Sequence, residues 1–221
     1  MRLEAVIFDF DGLILDTEKA EFDSWCEVYR EHGATLDFSD WSICIGTSGV
    51  FDPVTHLESL TGLKLDPVSV RARVLEIDRK HLDGMKLLPG VLDRLDEADA
   101  LGIRVGLASS SSDPWVIGNL TEHGIIGRFS AIRTRTQVAR PKPAPDLFLA
   151  AAAALGADPS RCVALEDSMN GIRSAKDAGM FCVAVPNSLT VQLDLSAADL
   201  SVPSLASFTL AQVDALMAVK R

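Results

Sequence analysis

A chain of 221 residues, 48% hydrophobic and 24% charged, is long enough for one core with a sizeable insertion or for two small domains, and its composition argues against disorder. A formal net charge of −10 argues against nucleic acid or an anionic membrane as the main partner, since both demand basic patches. The densest basic group, Arg71, Arg73, Arg79 and Lys80, alternates with Val70, Val74, Leu75 and Ile77, the pattern of the solvated side of an amphipathic helix.

The first predicted element is a short buried strand, the apolar run at 5–8, which ends in Asp9-Phe10-Asp11-Gly12. Residues i and i+2 share a face while the chain is extended, so Asp9 and Asp11 stand together where an open α/β sheet binds its ligands. Gly12 permits an immediate turn. Alone, this D-x-D-G fits a catalytic pair, a calcium loop or a surface turn.

From about residue 17 to 86 no buried strand is visible. Phe22, Trp25, Cys26 and Tyr29 fall at helical spacing, and Asp66-Pro67 opens a further helix through Val70, Val74 and Ile77. A helical insertion after the first strand would lie as a lid over the carboxyl end of the sheet. After it, strand-like runs at 103–108, 131–133, 162–165, 181–185 and 200–202 alternate with helical stretches. Asp113-Pro114 marks one helix start, and Gly102, Gly156 and Gly179 mark ends. This order predicts a doubly wound parallel α/β sheet, with 1–16 and 87–221 as core and 17–86 as a helical cap.

Three further groups stand at or near predicted strand ends. Ser109-Ser110-Ser111-Ser112 precedes a helix start, which suits either a phosphate or a serine-rich N-cap. Lys142 sits among Pro141, Pro143 and Pro145, which restrict the loop and hold the ammonium in place. Glu166-Asp167, with Gly171 shortly after, forms a second acidic pair with the oxygen donors of a hard-cation site. If these ends converge, Asp9, Asp11, Glu166 and Asp167 face Lys142 alone, and a phosphate dianion needs a metal such as Mg²⁺ before it can enter.

Taken together, the residues resemble the haloacid dehalogenase-like phosphatases, in the branch with β-phosphoglucomutase and small sugar-phosphate phosphatases. All four motifs occur in order over essentially the whole chain: residues 9–17, Ser109, Lys142, and Glu166-Asp167 followed by Ser168-Met169-Asn170-Gly171. The resemblance implies that Asp9 is the nucleophile, forming an aspartyl-phosphate, and that Asp11 is the general acid and base. It further implies that Asp9, the main-chain carbonyl of Asp11, and Asp167 hold Mg²⁺ with support from Glu166. Ser109 and Lys142 would grip the phosphoryl oxygens, with Ser110 beside them, and the insertion would be the family's helical cap. Haloacid substrates are not expected, because true dehalogenases lack the acid/base Asp present here at position 11.

Where the mutase has a histidine in the first cap helix and an arginine in the next cap loop, this chain has Glu21 and Ile45-Gly46-Thr47-Ser48-Gly49. These departures favour hydrolysis of a small phosphorylated metabolite, a sugar or sugar-alcohol phosphate, over the alternative of a phosphosugar mutase. Pro141, where relatives often carry a small residue, is a departure expected to matter little. Glu21, Thr47 and Ser48 are candidates for contacting substrate hydroxyls, against the alternative of an ordinary helix-to-helix connection. Trp25, Trp41 and Phe51 read as cap core rather than a stacking platform. A receiver domain is disfavoured by the position of the acidic pair on the first strand, and a decayed binding protein by the retention of every motif residue.

Cys26, Cys44, Cys162 and Cys182 show no C-x-x-C spacing and read as buried free thiols, and the four histidines show no metal-ligand spacing. Asp9 interrupts the N-terminal apolar stretch, and the longest apolar run, 147–155, falls short of the ~20 residues that span a bilayer. The expectation is a cytoplasmic monomer.

Overall fold

The computed structural model describes residues 3–47 and 49–219. Strands β1 (Ala5–Phe8), β2 (Arg104–Ser109), β3 (Ala131–Thr134), β4 (Cys162–Glu166), β5 (Phe181–Ala184) and β6 (Leu200–Ser201) form one sheet in the order β3-β2-β1-β4-β5-β6, all parallel. The order reverses at β1, the switch point beyond which doubly wound sheets bind ligands. Phe8 stands beside Leu107 on one side and Leu165 on the other. The segments that follow β1, β2 and β4 therefore emerge together.

Buried parallel strands require apolar residues on both faces, and these have them. Val6 and Phe8 join one cluster with Val105, Leu107, Val163 and Leu165, while Ala5 and Ile7 join another with Ala164 and Cys182. The first face is covered by α5 (Val91–Leu101), α6 (Asp113–Glu122) and α9 (Leu210–Val219), the second by α7 (Asp146–Leu155) and α8 (Met169–Asp177).

Between β1 and α5 lie α1 (Thr17–Glu31), α2 (Phe38–Trp41), α3 (Pro53–Thr61) and α4 (Pro67–Leu82), and no strand among the described residues. The side chains of Asp52 and Asp66 accept backbone N–H bonds at the starts of α3 and α4, each followed by proline in the first turn. These helices share a third hydrophobic cluster: Trp25, Val28 and Tyr29 from α1, Trp41 from α2, Val54 and Leu57 from α3, and Val70, Val74 and Ile77 from α4. Tyr29 donates a 2.7 Å hydrogen bond to the Pro53 carbonyl inside it. Leu189, from the segment after β5, also joins this cluster, so the helical layer rests on the sheet layer through apolar contact.

Cys162 and Cys182 are buried, whereas Cys26 and Cys44 are only half-buried, because they pack against the outside of the helical cluster; all four are free thiols. No helix among the described residues is long and apolar enough to cross a membrane.

Candidate active site

The site begins where β1 stops. The Asp9 amide still bonds to the Leu165 carbonyl at 3.0 Å, so Asp9 is held by the sheet although it lies past the strand. The chain then turns: Phe10 O accepts from Ile14 N at 2.9 Å, and Gly12 N donates to Leu15 O at 2.7 Å. Gly12 has φ +77°, and a Cβ there would lie 2.4 Å from Asp167 Oδ2 and 2.6 Å from Asn187 Nδ2. Only glycine allows both the left-handed turn and this approach.

Asp9 is 4% exposed and Lys142 1%. Lys142 Nζ donates to Asp9 Oδ1 at 2.5 Å and also to Glu166 Oε1, and it lies 4.9 Å from the centre of the Phe148 ring. Burial lowers the affinity of Lys142 for its proton, but Asp9 and Glu166 more than offset that and leave its pKa raised. Burial, first, and the nearby Glu166 and Asp11 charges push the Asp9 carboxyl up to about 8 against the pull of Lys142. Asp167, also buried, is raised well above the usual carboxylate range by burial and by Asp9 and Glu166.

Asp9, Glu166 and Asp167 bring one carboxylate oxygen each to within 4.8 Å of one another. Glu166 is already occupied: Oε1 accepts from Lys142, and Oε2 accepts from Ser168 Oγ at 3.1 Å and from the Asp167 and Ser168 amides. Asp167 Oδ2 accepts from Asn187 Nδ2 at 2.8 Å, but its buried Oδ1 has no hydrogen-bond partner. A buried, unpaired oxygen among anionic oxygens fits a hard cation, which would relieve the cost of leaving it bare.

Asp11 lies beside this cluster rather than in it. Its Oδ1 accepts from Thr17 Oγ1 and from Trp115 Nε1, both at 2.8 Å. Its Oδ2 accepts from Ser111 Oγ at 2.5 Å and from Ser109 Oγ at 3.4 Å. Ser109 is fully buried, and its Oγ accepts from the Ser111 amide at 3.0 Å.

Above these groups a cavity of about 600 Å³ opens between the sheet and the helical layer. Asp9, Asp11, Ser109, Ser110 and Trp115 form part of its floor, and Glu18, Glu21 and Asp78 stand on the helical side. Desolvation on the cavity side of its otherwise exposed side chain, then the charges of Asp11 and Asp78, push Glu21 up to about 7. Glu18 is raised well above its ordinary value by burial and by Glu21. Asp78 is raised too, mainly by burial, and its Oδ1 lacks a partner.

Thr47 lines the same cavity, but its hydroxyl donates to the main-chain carbonyl of Lys142 and ties the helical layer to the sheet layer. Ser110 likewise donates to the Gly46 carbonyl at 3.2 Å. Ser48 lies outside the described residues. Trp25 and Trp41 are buried in the helical cluster while also bordering the cavity. The fold thus brings Asp9, Asp11, Ser109, Lys142, Glu166 and Asp167 together, with Glu21 and Thr47 facing them. Sequence reasoning missed Ser111, Trp115 and Asn187 as site residues. The serine run was a signal for the first, whereas a tryptophan on a helix and an asparagine after a strand carry none.

A family model described as haloacid dehalogenase-like hydrolase matches residues 6–185. The chain is 43% identical over 209 residues to YhcW of Bacillus subtilis (strain 168), covering 95% of each. It is 32% identical over 185 residues to the fructose-1-phosphate phosphatase YqaB of Escherichia coli (strain K12), covering 83% of this chain and 97% of that one. Among solved structures, β-phosphoglucomutase from Clostridium difficile superposes with a TM-score of 0.78 at 25% identity, covering 98% of this chain and 97% of that one.

Proposed function

The chain belongs to the haloacid dehalogenase-like hydrolases, as a phosphatase, and we propose that it hydrolyses a small sugar or sugar-alcohol monophosphate through an aspartyl-phosphate, with Mg²⁺ as cofactor. The observation that carries this reading is the convergence of buried Asp9, Lys142 and Asp167 beneath a cavity of about 600 Å³ whose helical side carries Glu18, Glu21 and Asp78 among aromatic and apolar groups.

Asp9 attacks phosphorus and the ester oxygen departs, taking a proton from Asp11. A water then attacks the aspartyl-phosphate, giving its proton to Asp11, and inorganic phosphate leaves with Asp9 restored. Lys142 and the Ser109 hydroxyl orient and neutralise the phosphoryl oxygens, the main work of a catalyst for this reaction. Asp9, Asp167 and the main-chain carbonyl of Asp11 would hold Mg²⁺, which supplies the positive charge that lets a dianion enter. Glu166, with both oxygens engaged, holds Lys142 and the start of α8.

Glu18, Glu21 and Asp78 suit the other end of the substrate. They exchange hydrogen bonds with hydroxyl groups, accepting when ionised and donating when protonated, which supports a polyhydroxy substrate. Residues 17–86 would act as the lid and 1–16 with 87–221 as the base, closure excluding bulk water. All of these groups come from one chain, so the reading needs no second copy.

The test is a panel of phosphorylated metabolites, including β-glucose 1-phosphate with a trace of its 1,6-bisphosphate, incubated with Mg²⁺ or EDTA and followed by phosphorus NMR. Mg²⁺-dependent inorganic phosphate from a few related sugars is expected. Glucose 6-phosphate appearing without inorganic phosphate would replace the hydrolase by a mutase.

A further inference from the structure

Asp11 has the most elaborate hydrogen-bonding of the cavity carboxylates, and its donors are not equivalent. Ser109, Ser111 and Thr17 offer hydroxyls, which donate or accept as the proton on their partner requires. Trp115 offers an indole N–H, which only donates.

We propose that Trp115 is a positioning residue: it anchors Oδ1 of Asp11, so that Oδ2 is the oxygen that gives and takes the proton during turnover. The inference rests on the phosphatase reading above. A proton on Oδ1 would turn that atom into the hydroxyl oxygen of a carboxylic acid, the poorer acceptor, and weaken the 2.8 Å bond from Trp115. A proton on Oδ2 meets Ser111 and Ser109, and either hydroxyl can turn to accept it. Ser109 is also the hydroxyl placed to bind the phosphoryl group, so Oδ2 faces the reacting side.

The second donor to Oδ1, Thr17, is the first residue of α1 and belongs to the helical layer. Trp115 belongs to α6, is half-buried, and packs against the main core cluster. Asp11 is therefore anchored from both layers, and the anchor on the core side does not depend on where the lid stands.

Two substitutions separate this role from simple packing. Trp115→Phe keeps most of the ring bulk and removes the N–H. Trp115→His removes bulk but keeps a ring nitrogen, Nε2, at the position corresponding to the indole Nε1. Rapid-quench measurement of leaving-group release would compare p-nitrophenyl phosphate with whichever of fructose 1-phosphate, glucose 6-phosphate and sorbitol 6-phosphate the wild type turns over fastest. p-Nitrophenolate departs without a proton, whereas a sugar alkoxide needs one.

For Trp115→Phe the expected result is a burst rate about 10-fold or more lower with the sugar phosphate, KM within about 3-fold of wild type, and a loss under about 3-fold with the aryl ester. Trp115→His is expected to stay within about 3-fold of wild type on the sugar phosphate. The inference is overturned if Trp115→Phe matches wild type, if it slows both esters equally, or if Trp115→His falls as far. Circular dichroism melts check folding, and Trp115→Met takes the place of a phenylalanine variant that does not fold. A wild-type protein that hydrolyses no phosphomonoester overturns the phosphatase reading and this inference together, whereas normal wild-type turnover with an unaffected Trp115→Phe overturns this inference alone.

Discussion

Lys142 Nζ and Asp9 Oδ1 lie 2.5 Å apart, although the residues are 133 positions apart in sequence and both are buried. This contact holds Asp9, the proposed nucleophile, in place and offsets negative charge in the cluster of Asp9, Glu166 and Asp167. Breaking a buried pair leaves a charge without its partner, which costs about 3–5 kcal/mol. Lys142→Ala is therefore expected to lower the unfolding free energy of the metal-free protein, read from its urea midpoint and slope, by an amount in that range and to abolish phosphate release. An unchanged midpoint would show that Asp9 and Glu166 simply take up protons when the lysine is lost.

Asp9→Asn keeps the shape of the proposed nucleophile and removes its ability to form an acyl phosphate. Turnover is expected to fall by at least ~10³-fold, with Asp11→Asn nearly as damaging, because the two residues act as a unit. Each variant should retain the far-UV circular dichroism of the wild type. Wild-type-like activity in purified Asp9→Asn would end the aspartyl-phosphate mechanism.

The raised carboxyls set the direction of the pH dependence in the absence of metal. Asp9 is pushed from 3.8 to about 8, and Glu21 from 4.5 to about 7. Over that window the folded chain binds more protons than the unfolded one, so stability is highest near the lower values and falls as pH rises toward 8. The pKa of Lys142 is raised above its unfolded value, so its contribution is fully present throughout this window and does not reverse the sign. A cation held by Asp9 and Asp167 opposes the loss. Thermal melts in EDTA should fall from pH 6 to pH 8, and Mg²⁺ should raise the melting temperature more at pH 8, where its ligands have fewer protons to displace. Equal melting temperatures in EDTA at the two pH values would contradict the charge balance described here.

Glu21 reaches the cavity from α1, on the side away from Asp9 and Lys142. Glu21→Gln removes the charge and keeps the shape, and the loss of a charged acceptor for a hydroxyl is worth roughly 10-fold in binding. KM for the preferred sugar phosphate should rise by about that factor, while kcat/KM for p-nitrophenyl phosphate, which has no hydroxyls, should change less than about 2-fold. A parallel loss on both substrates would assign Glu21 to the chemistry instead of to recognition.

Gly12→Ala tests the turn. The left-handed φ strains any other residue by about 1 kcal/mol or more, and the new methyl would collide with Asp167 Oδ2. Both a lower melting temperature and a weaker Mg²⁺-induced rise in that temperature are expected. A variant that melts like wild type and responds fully to Mg²⁺ would mean that the turn and Asp167 move apart without cost.

The strands were readable because their signal is local. Residues 5–8 are apolar at every position, as a strand buried on both faces demands, and the acidic pair interrupts them at once, so Asp9 and Asp11 could be placed at a strand end without a partner in view. The helical character of the insertion was readable for the same reason, since Trp25, Tyr29, Val70, Val74 and Ile77 keep helical spacing where a buried strand would not. Residue types also pointed to the need for a cation, because four carboxylates and one lysine cannot receive a phosphate unaided. Partnership between distant groups has no such local signature. Trp115 has the pattern of an ordinary core residue of α6, and only the parallel pairing of β1 with β2 brings its indole N–H to Asp11. Asn187 looks like a turn residue until β5, beside β4, brings its amide to Asp167 and the Gly12 carbonyl. Thr47 offers a free hydroxyl on paper, yet packing of the two layers commits it to the Lys142 carbonyl. Period and composition are properties of a dozen neighbouring residues, whereas the direction of a donor and the group that it meets are set by how strands separated in sequence come to lie side by side.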